Sequence, residues 1–346
     1  MEPPRTLPVV DIAAYTGPGA ASSREQVAAQ WDAALSEVGF VLITGTGVPR
    51  ALLDRCRAQA GAFFASAHGE KMRFNHGYYG HPRGGYTPVG VETVALSSGE
   101  GEGDSRLLPD PVENFVFREH PSLFEMPGGG AEGPPFMGCA VEYADHMERL
   151  LSTIHEISAD ALGLRSDFFN GFYALTDGCP RNGNALRLSH YLPSVETNRA
   201  AADRRILYGA HTDYQGFTIL RPDDGDWRSA GAGGLQVLVG DGPSSCWADV
   251  CLPSDLLDDV FVVNAGDLLN RWTNRRWRSA VHRVIGPAAG SAAACSSRLS
   301  VVFFTGPRED AVVQSVLAPG QERGHWPEPI SAGEHLQIKL RRSNRM

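Results

Sequence analysis

The second half of the chain is a series of short β-prone runs separated by turn residues, and this pattern constrains the fold more than any other feature. Many short strands at this spacing predict a sandwich or barrel built largely from antiparallel pairs. Strands do not alternate strictly with helices, which argues against a doubly wound fold. The predicted strands span residues 185–192, 216–220, 235–239, 246–250, 260–264, 280–285 and 298–305.

The first half carries amphipathic helices, in which apolar residues recur at helical spacing. The Gly- and Pro-rich segments 80–90 and 127–135 are too polar and too broken to predict regular structure. The predicted helices span about residues 24–38, 50–65, 140–162 and 331–342, and further short strands are predicted over 7–12 and 40–44.

A length of 346 residues is compatible with one large β-rich domain that has helical flanks. We expect a single domain over 1–346. Within it, residues 1–183 form a helical and loop-rich support region, residues 184–310 form the β-rich core, and residues 311–346 form a C-terminal extension.

The charge distribution indicates a small-molecule partner. The formal net charge is −9, from 31 basic and 40 acidic residues, and neither sign forms a long run. No basic patch for nucleic acid or for an anionic membrane is therefore expected. The sequence leaves the oligomeric state open.

Hydrophobic runs and cysteine spacing predict a cytoplasmic protein. The longest apolar runs, such as 260–263 and 299–304, are far shorter than the ~20 residues that span a bilayer. The N-terminus lacks a basic segment followed by an apolar one. The six cysteines form no C-x-x-C pair, so we expect reduced thiols and no zinc ribbon.

A possible metal site begins with His211-Thr212-Asp213, because residues i and i+2 of an extended chain project from one face. Such a triplet is common by chance, but His282 follows 282 − 213 = 69 residues later on another predicted strand. Two imidazoles and one carboxylate leave metal positions open, as in non-haem iron(II) oxygenases. A structural zinc site would fill all four positions.

The remaining histidines show no comparable pattern. His190 lies on a predicted strand and is considered below. We expect solvated or structural roles in loops or on helix surfaces for His68, His76, His81, His120, His146, His155, His325 and His335.

A second candidate feature is Arg298-Leu299-Ser300, which has the same i,i+2 spacing at the start of an apolar strand. A guanidinium in such a strand needs a partner, and a carboxylate matches its donor geometry. This partner is either a ligand carboxylate beside the metal or an acidic residue of the protein.

These residues stand within a longer pattern that closely resembles the isopenicillin N synthase-like branch of the iron(II)/2-oxoglutarate oxygenases. The resemblance is strongest over 264–284, which contains His282, and it includes the triplet 211–213 and the triplet 298–300. The same order of motifs is seen at 39–41, 85–90, 186–193 and 233–237.

The resemblance implies a distorted double-stranded β-helix, or jelly roll, with N-terminal and C-terminal helices. It implies iron(II) on His211, Asp213 and His282, with 2-oxoglutarate as co-substrate and O2 as oxidant. Tyr191 joins Arg298 and Ser300 on the distal carboxylate of 2-oxoglutarate.

One position near this clamp departs from the family. Ser189 occupies a position where many members have Asn, so the expected polar contact to 2-oxoglutarate is in question. By strand alternation, His190 should face away from Tyr191.

The activity that this resemblance implies is hydroxylation, desaturation or ring closure of a small molecule, with release of succinate and CO2. The Ala-, Gly- and Arg-rich composition is typical of a GC-rich bacterial genome, which would suit specialised metabolism. Two alternatives remain: an iron(II) oxidase that uses no 2-oxoglutarate and clamps a substrate carboxylate, and a non-catalytic jelly-roll binding protein. Candidate substrate-lining residues are Tyr86, Asn114, Phe115, Leu220 and Phe304.

Two loops have unusual composition. Segment 222–234 carries several acidic residues, and we expect it to be a surface loop rather than an edge of the substrate entrance. Segment 286–297 lies between His282 and Arg298 and is rich in Ala, Gly and Ser, which predicts a flexible hairpin tip.

Overall fold

An eight-stranded sheet and a four-stranded sheet dominate the structure, a computed structural model. It describes residues 7–17, 21–77, 81–92, 110–129, 132–179, 181–193, 206–222, 233–240, 242–252, 260–287, 296–317, 324–326 and 328–343. Within these ranges, no helix is both long enough and apolar enough to cross a membrane.

The strands, in chain order, are β1 (Val9–Asp11), β2 (Phe40–Thr44), β3 (Gly84–Thr87), β4 (Val112–Phe117), β5 (Ala185–Tyr191), β6 (Ile206–His211), β7 (Phe217–Arg221), β8 (Gly234–Val239), β9 (Cys246–Asp249), β10 (Phe261–Ala265), β11 (His282–Ile285), β12 (Arg298–Phe304), β13 (Val312–Val313) and β14 (Ile330–Ser331). The larger sheet has the order β1-β2-β10-β7-β12-β5-β4-β3, and the smaller sheet has the order β6-β11-β8-β9. Strands β13 and β14 form a separate pair. All described pairs are antiparallel except β1 with β2.

The helices are α1 (Ala13–Thr16), α2 (Ala21–Glu37), α3 (Arg50–Phe64), α4 (His68–Met72), α5 (Met137–Leu162), α6 (Asn170–Tyr173), α7 (Asp267–Trp272) and α8 (Ala332–Ser343). The predicted helices at 24–38, 50–65, 140–162 and 331–342 correspond to α2, α3, α5 and α8. The prediction of a mostly β protein with helical flanks is confirmed.

The two faces of the larger sheet bury different parts of the molecule. On β2, Val41 and Ile43 join the main core, which includes Trp31 of α2 and the buried face of α5. The alternate residues Phe40 and Leu42 pack in a second cluster with Val237 of the smaller sheet. Because side chains alternate along a strand, one face of the larger sheet, here called the outer face, meets the helices. The other face, here called the inner face, meets the smaller sheet.

Strands β3 and β4 correct one prediction, because part of the Gly- and Pro-rich region before α5 is regular structure. Residues 84–87 pair with β4, and β4 pairs with β5, so they extend the larger sheet. The sequence did not predict β4, because its second and third residues, Glu113 and Asn114, are polar, although both are buried. Their partners come from distant parts of the chain, so strand periodicity alone did not reveal them.

Four of the eight strands of the larger sheet come from residues 1–183. Strands β1 and β2 correspond to the predicted strands 7–12 and 40–44, whereas β3 and β4 were not predicted. The predictions for segments 222–234 and 286–297 fall largely outside the described residues, which exclude 223–232 and 288–295.

Candidate active site

Three candidate metal ligands meet between the sheets. His211 ends β6 and His282 begins β11, and these two residues are Cα partners across the antiparallel pair. Oδ1 of Asp213 lies 3.7 Å from Nε2 of His211 and 3.8 Å from Nε2 of His282. The three ligand atoms lie within 4.8 Å of one another, and all three residues are buried. In the described part of the chain, no other group of three or more His, Cys, Asp or Glu residues has this geometry.

Both imidazoles are oriented by backbone carbonyl groups. Nδ1 of His211 lies 2.8 Å from the carbonyl oxygen of Gly209, and Nδ1 of His282 lies 3.1 Å from that of Ala280. A carbonyl oxygen only accepts, so each Nδ1 carries the proton and each Nε2 offers its lone pair. Burial, together with the neighbouring imidazole of His282, lowers the pKa of His211 to about 3, which keeps this ring neutral.

The carboxylate of Asp213 is fixed by two donors from the larger sheet. Its Oδ2 accepts hydrogen bonds from Oγ1 of Thr218 at 2.5 Å and from Nδ2 of Asn264 at 2.7 Å. Burial alone would raise the pKa of Asp213, but the two histidines and these two hydrogen bonds lower it. The carboxylate is therefore ionised, and Oδ1 remains available for a metal.

Thr218 and Asn264 were not recognised as functional residues from the sequence. Two features of the sequence could have indicated Asn264. It stands at the start of the family-like segment 264–284, and it is a polar residue within an apolar strand.

The turn that follows Asp213 is fixed by the N-terminus of α7. The amide of Asp267 donates to the carbonyl of Asp213 at 2.8 Å. Gly266 permits this approach, because a Cβ at this position would lie 2.7 Å from the carbonyl oxygen of Gln215. Helix α8 contacts the same turn, with Nε2 of His335 2.9 Å from the carbonyl oxygen of Tyr214.

The predicted carboxylate clamp is assembled on two neighbouring strands of the larger sheet. Arg298 is the Cα partner of Tyr191, and Ser300 is the Cα partner of Ser189. All four side chains are buried, and the Arg298 guanidinium lies 5.3 Å from the Tyr191 ring centroid. Burial raises the pKa of Tyr191, so its phenol stays protonated and can donate a hydrogen bond.

The clamp residues fit a bound carboxylate. Oγ of Ser300 is buried and has no hydrogen-bond partner among the described residues. Buried hydroxyl groups are normally hydrogen-bonded, so an additional acceptor is expected here. A carboxylate beside a guanidinium, a phenol and a hydroxyl would supply it.

Comparisons with known proteins identify the family. Residues 7–121 match the model described as non-haem dioxygenase in morphine synthesis N-terminal, and residues 182–307 match that of the 2OG-Fe(II) oxygenase superfamily. Gibberellin 20 oxidase 3 of Oryza sativa subsp. japonica is 30% identical over 317 residues, which cover 89% of this chain and 74% of the relative. The chain belongs to the 2-oxoglutarate/iron(II) oxygenase superfamily. It is a non-haem iron(II)- and 2-oxoglutarate-dependent dioxygenase.

Two further similarities agree with this assignment. Validamycin A dioxygenase of Streptomyces hygroscopicus subsp. limoneus is 29% identical over 319 residues, which cover 91% of this chain and 80% of the relative. The crystal structure of a full-length Neurospora crassa protein in complex with alpha-KG has a TM-score of 0.76 at 22% identity and covers 99% of this chain and 98% of that one. The latter shows the shared fold, and the predicted jelly-roll core is confirmed.

Two predicted substrate-lining residues of the oxygenase lie on the outer face, and their assignment was wrong. Tyr86 and Phe115 pack around Phe63 of α3 in an aromatic cluster of the main core. The inner or outer position of a strand residue depends on which sheet face meets the helices, and the motif spacing did not contain this information.

Three other predicted lining residues lie on the inner face. Asn114 is the Cα partner of Ser189, and Phe304 is the partner of Thr218, which contacts Asp213. Leu220 follows Thr218 by two residues on β7 and so shares its face.

His190 faces away from Tyr191, as strand alternation predicted. Its Nδ1 lies 2.8 Å from Oε1 of Glu113, and its ring stacks on Phe64 of α3. His155 corrects another expectation, because it lies in the core and stacks on Phe169 rather than lying at a helix surface. His335 is also buried, between α8 and the turn that follows Asp213.

Proposed function

We propose that His211, Asp213 and His282 hold the iron of this oxygenase. The observation that carries this proposal is the convergence of one carboxylate oxygen and two Nε2 atoms within 4.8 Å. The Nδ1 contacts of both histidines orient these Nε2 atoms toward the same point. Such a three-ligand set leaves adjacent metal positions open for a co-substrate and dioxygen.

Arg298, Ser300 and Tyr191, with Ser189 beside them, hold 2-oxoglutarate in this proposal. These residues are supported by their shared position on the inner face and by the unsatisfied Ser300 hydroxyl. When bound, iron and 2-oxoglutarate supply the oxidising chemistry, with O2 as oxidant and with succinate and CO2 as co-products. The side chains contribute orientation, charge neutralisation and a site shielded from water.

The proposed substrate is a small molecule of specialised metabolism that undergoes hydroxylation, desaturation or ring closure. The names of two relatives refer to validamycin A and to gibberellin. The net charge of −9 disfavours nucleic acid as a partner, because nucleic-acid binding requires a basic surface. In this proposal, residues 1–346 form one oxygenase domain, with the jelly-roll core at 184–310.

An anaerobic titration tests the co-substrate assignment. Iron(II) is added first and 2-oxoglutarate second, and the weak visible charge-transfer band of a chelated keto acid is expected to appear. Admission of oxygen should then release succinate. The variant Asp213→Ala should keep the fold, measured by circular dichroism, and lose both signals.

Two results would contradict the assignment. Absence of the band, together with absence of succinate across a substrate panel, would exclude 2-oxoglutarate as co-substrate. Substrate oxidation in its absence would favour the alternative in which the clamp holds a substrate carboxylate.

A further inference from the structure

Arg187 lies on the inner face of β5, two residues before Ser189, and it makes a set of buried contacts that the assigned site does not explain. Its single Nε–H is shared between Oδ1 of Asn114 at 3.1 Å and Oγ of Ser189 at 3.0 Å. Its Nη2 donates to Oε2 of Glu92 at 2.5 Å. All four residues are buried.

The contact between Arg187 and Ser189 determines the direction in which the Ser189 hydroxyl group can donate its proton. A serine hydroxyl has one proton and two acceptor lone pairs. Because Nε of Arg187 occupies an acceptor position, the Ser189 proton is directed to another partner. Ser189 is the cross-strand neighbour of Ser300, and side chains of such neighbours lie close together on one face. The hydroxyl is therefore available to a ligand held at the clamp.

The charge of Arg187 is already neutralised within the protein. Glu92 forms a buried ion pair with it at 2.5 Å, and separating such a pair leaves an uncompensated buried charge. The same guanidinium lies 5.4 Å from the ring centroid of Tyr208, whose ring lies 5.1 Å from that of His211. Arg187 is thus a fixed group within the site rather than a cation exposed for an anionic substrate.

We propose that Arg187 is a positioning residue that orients the Ser189 hydroxyl to donate a hydrogen bond to bound 2-oxoglutarate. Asn carries its own N–H donors, whereas a serine hydroxyl rotates unless another group occupies its lone pairs. This inference rests on the proposed function of the clamp.

A double-mutant cycle tests the proposal. The dissociation constant of 2-oxoglutarate is measured anaerobically on the iron-loaded protein from the charge-transfer band. Ser189→Ala is expected to weaken 2-oxoglutarate binding roughly tenfold, because it removes one hydrogen bond to a charged group. Arg187→Lys keeps a cation near Glu92 but loses the planar donor set, and it should weaken binding similarly. The double variant should bind 2-oxoglutarate no more weakly than whichever single variant has the larger dissociation constant.

The variant Ser189→Asn provides a rescue. It should restore the 2-oxoglutarate binding that Ser189→Ala loses, and Arg187→Lys in this background should have no further effect, because the Asn amide supplies the donor. Arg221→Lys is the matched control. Arg221 is another buried strand arginine, but it lies on the outer face of β7 and donates to the carbonyl of Val260. This control should leave the dissociation constant unchanged.

The readouts separate this proposal from its alternatives. Melting temperature and iron affinity, measured for every variant, identify any general loss of structure. Additive effects, an unchanged constant in Ser189→Ala, or a change confined to the KM of the oxidised substrate would overturn the positioning role. If the wild type itself does not bind 2-oxoglutarate, the proposed function fails first.

Discussion

Each candidate metal ligand has a second contact that fixes its orientation. Carbonyl groups hold the two histidines, and Thr218 and Asn264 hold the far oxygen of Asp213. Such contacts determine which atom faces the metal and how basic it is. The affinity for iron should therefore depend on residues that are not themselves ligands.

Asn264→Ala is expected to weaken iron(II) binding about 10- to 100-fold, because Asp213 loses one of its two fixed donors. The measurement is an anaerobic titration of the apoprotein with iron(II). Asn270→Ala is the control, since the Asn270 side chain donates to the carbonyl of Trp277 rather than to a candidate ligand. Equal affinity of Asn264→Ala and wild type would remove Asn264 from the site.

His211→Ala and Asp213→Ala should each abolish turnover and leave the circular dichroism spectrum unchanged. Each variant removes one of the three ligand atoms and leaves the strand pairings in place. Wild-type activity in either variant would show that the residue does not hold the metal.

At the scale of secondary structure, β4 and β5 carry different polar networks on their two faces. On the inner face, Asn114 contacts Arg187. On the outer face, Glu113 accepts hydrogen bonds from Nζ of Lys71 at 2.7 Å and from the hydroxyl of Tyr86 at 2.6 Å, and it also contacts His190. These networks allow polar residues to occupy buried strands.

The outer-face network predicts a pH dependence of stability. Burial alone would raise the pKa of Glu113, but hydrogen bonds from His190, Lys71 and Tyr86 lower it below the ordinary value of 4.5. A carboxyl group with a lowered pKa stabilises the fold above its ordinary pKa, and this contribution is lost as pH falls through the lowered value.

Glu113→Gln should therefore flatten the loss of unfolding free energy below about pH 4.5. At neutral pH it should destabilise the protein by about 3–5 kcal/mol, because Lys71 loses its buried partner. Denaturant unfolding at a series of pH values measures both effects. Glu70→Gln, in an exposed pair with Arg73, is the control and should have the wild-type profile. An equally steep profile in Glu113→Gln would contradict the assignment.

Helix α8 supports the metal site from the C-terminal end of the chain. His335 contacts the carbonyl of Tyr214, and Lys339 forms an ion pair with Asp267 at the start of α7. Both contacts reach the turn that positions Asp213.

His335→Ala should weaken iron(II) binding by roughly fivefold, which corresponds to the loss of about one hydrogen bond. The readout is the same anaerobic titration. Gln337→Ala, at an exposed position of the same helix, should bind iron normally. An unaffected His335→Ala variant would show that α8 does not contribute to the site.

At the scale of the whole molecule, the candidate site connects the two sheets. His211 and His282 belong to the smaller sheet, whereas the donors to Asp213 and the clamp residues belong to the larger one. Ligands that bind only the folded state stabilise it according to their concentration and affinity.

Iron(II) with 2-oxoglutarate should raise the melting temperature by several degrees, since a ligand at 100 times its dissociation constant contributes about 2.7 kcal/mol. Scanning calorimetry under anaerobic conditions measures this shift. His211→Ala should show no shift with the same additions. A comparable shift in this variant would indicate that binding occurs elsewhere.

The sequence by itself indicated the four longer helices α2, α3, α5 and α8, most of the strands, and the candidate ligand and clamp residues. Spacing predicted that His211 would lie near Asp213 and Arg298 near Ser300, because i,i+2 residues of a strand share a face. Arg298 and Ser300 do share strand β12, whereas Asp213 lies two residues beyond the end of β6. The order of motifs then indicated the family, and the structure brings the three candidate ligands together.

Only the tertiary structure decided which face each strand presents and which distant residues share that face. Tyr86 and Phe115 lie against the helices. Arg187 contacts both Glu92 and Ser189. Local periodicity gives spacing within an element, whereas the identity and register of the neighbouring strand depend on pairings between residues far apart in the chain.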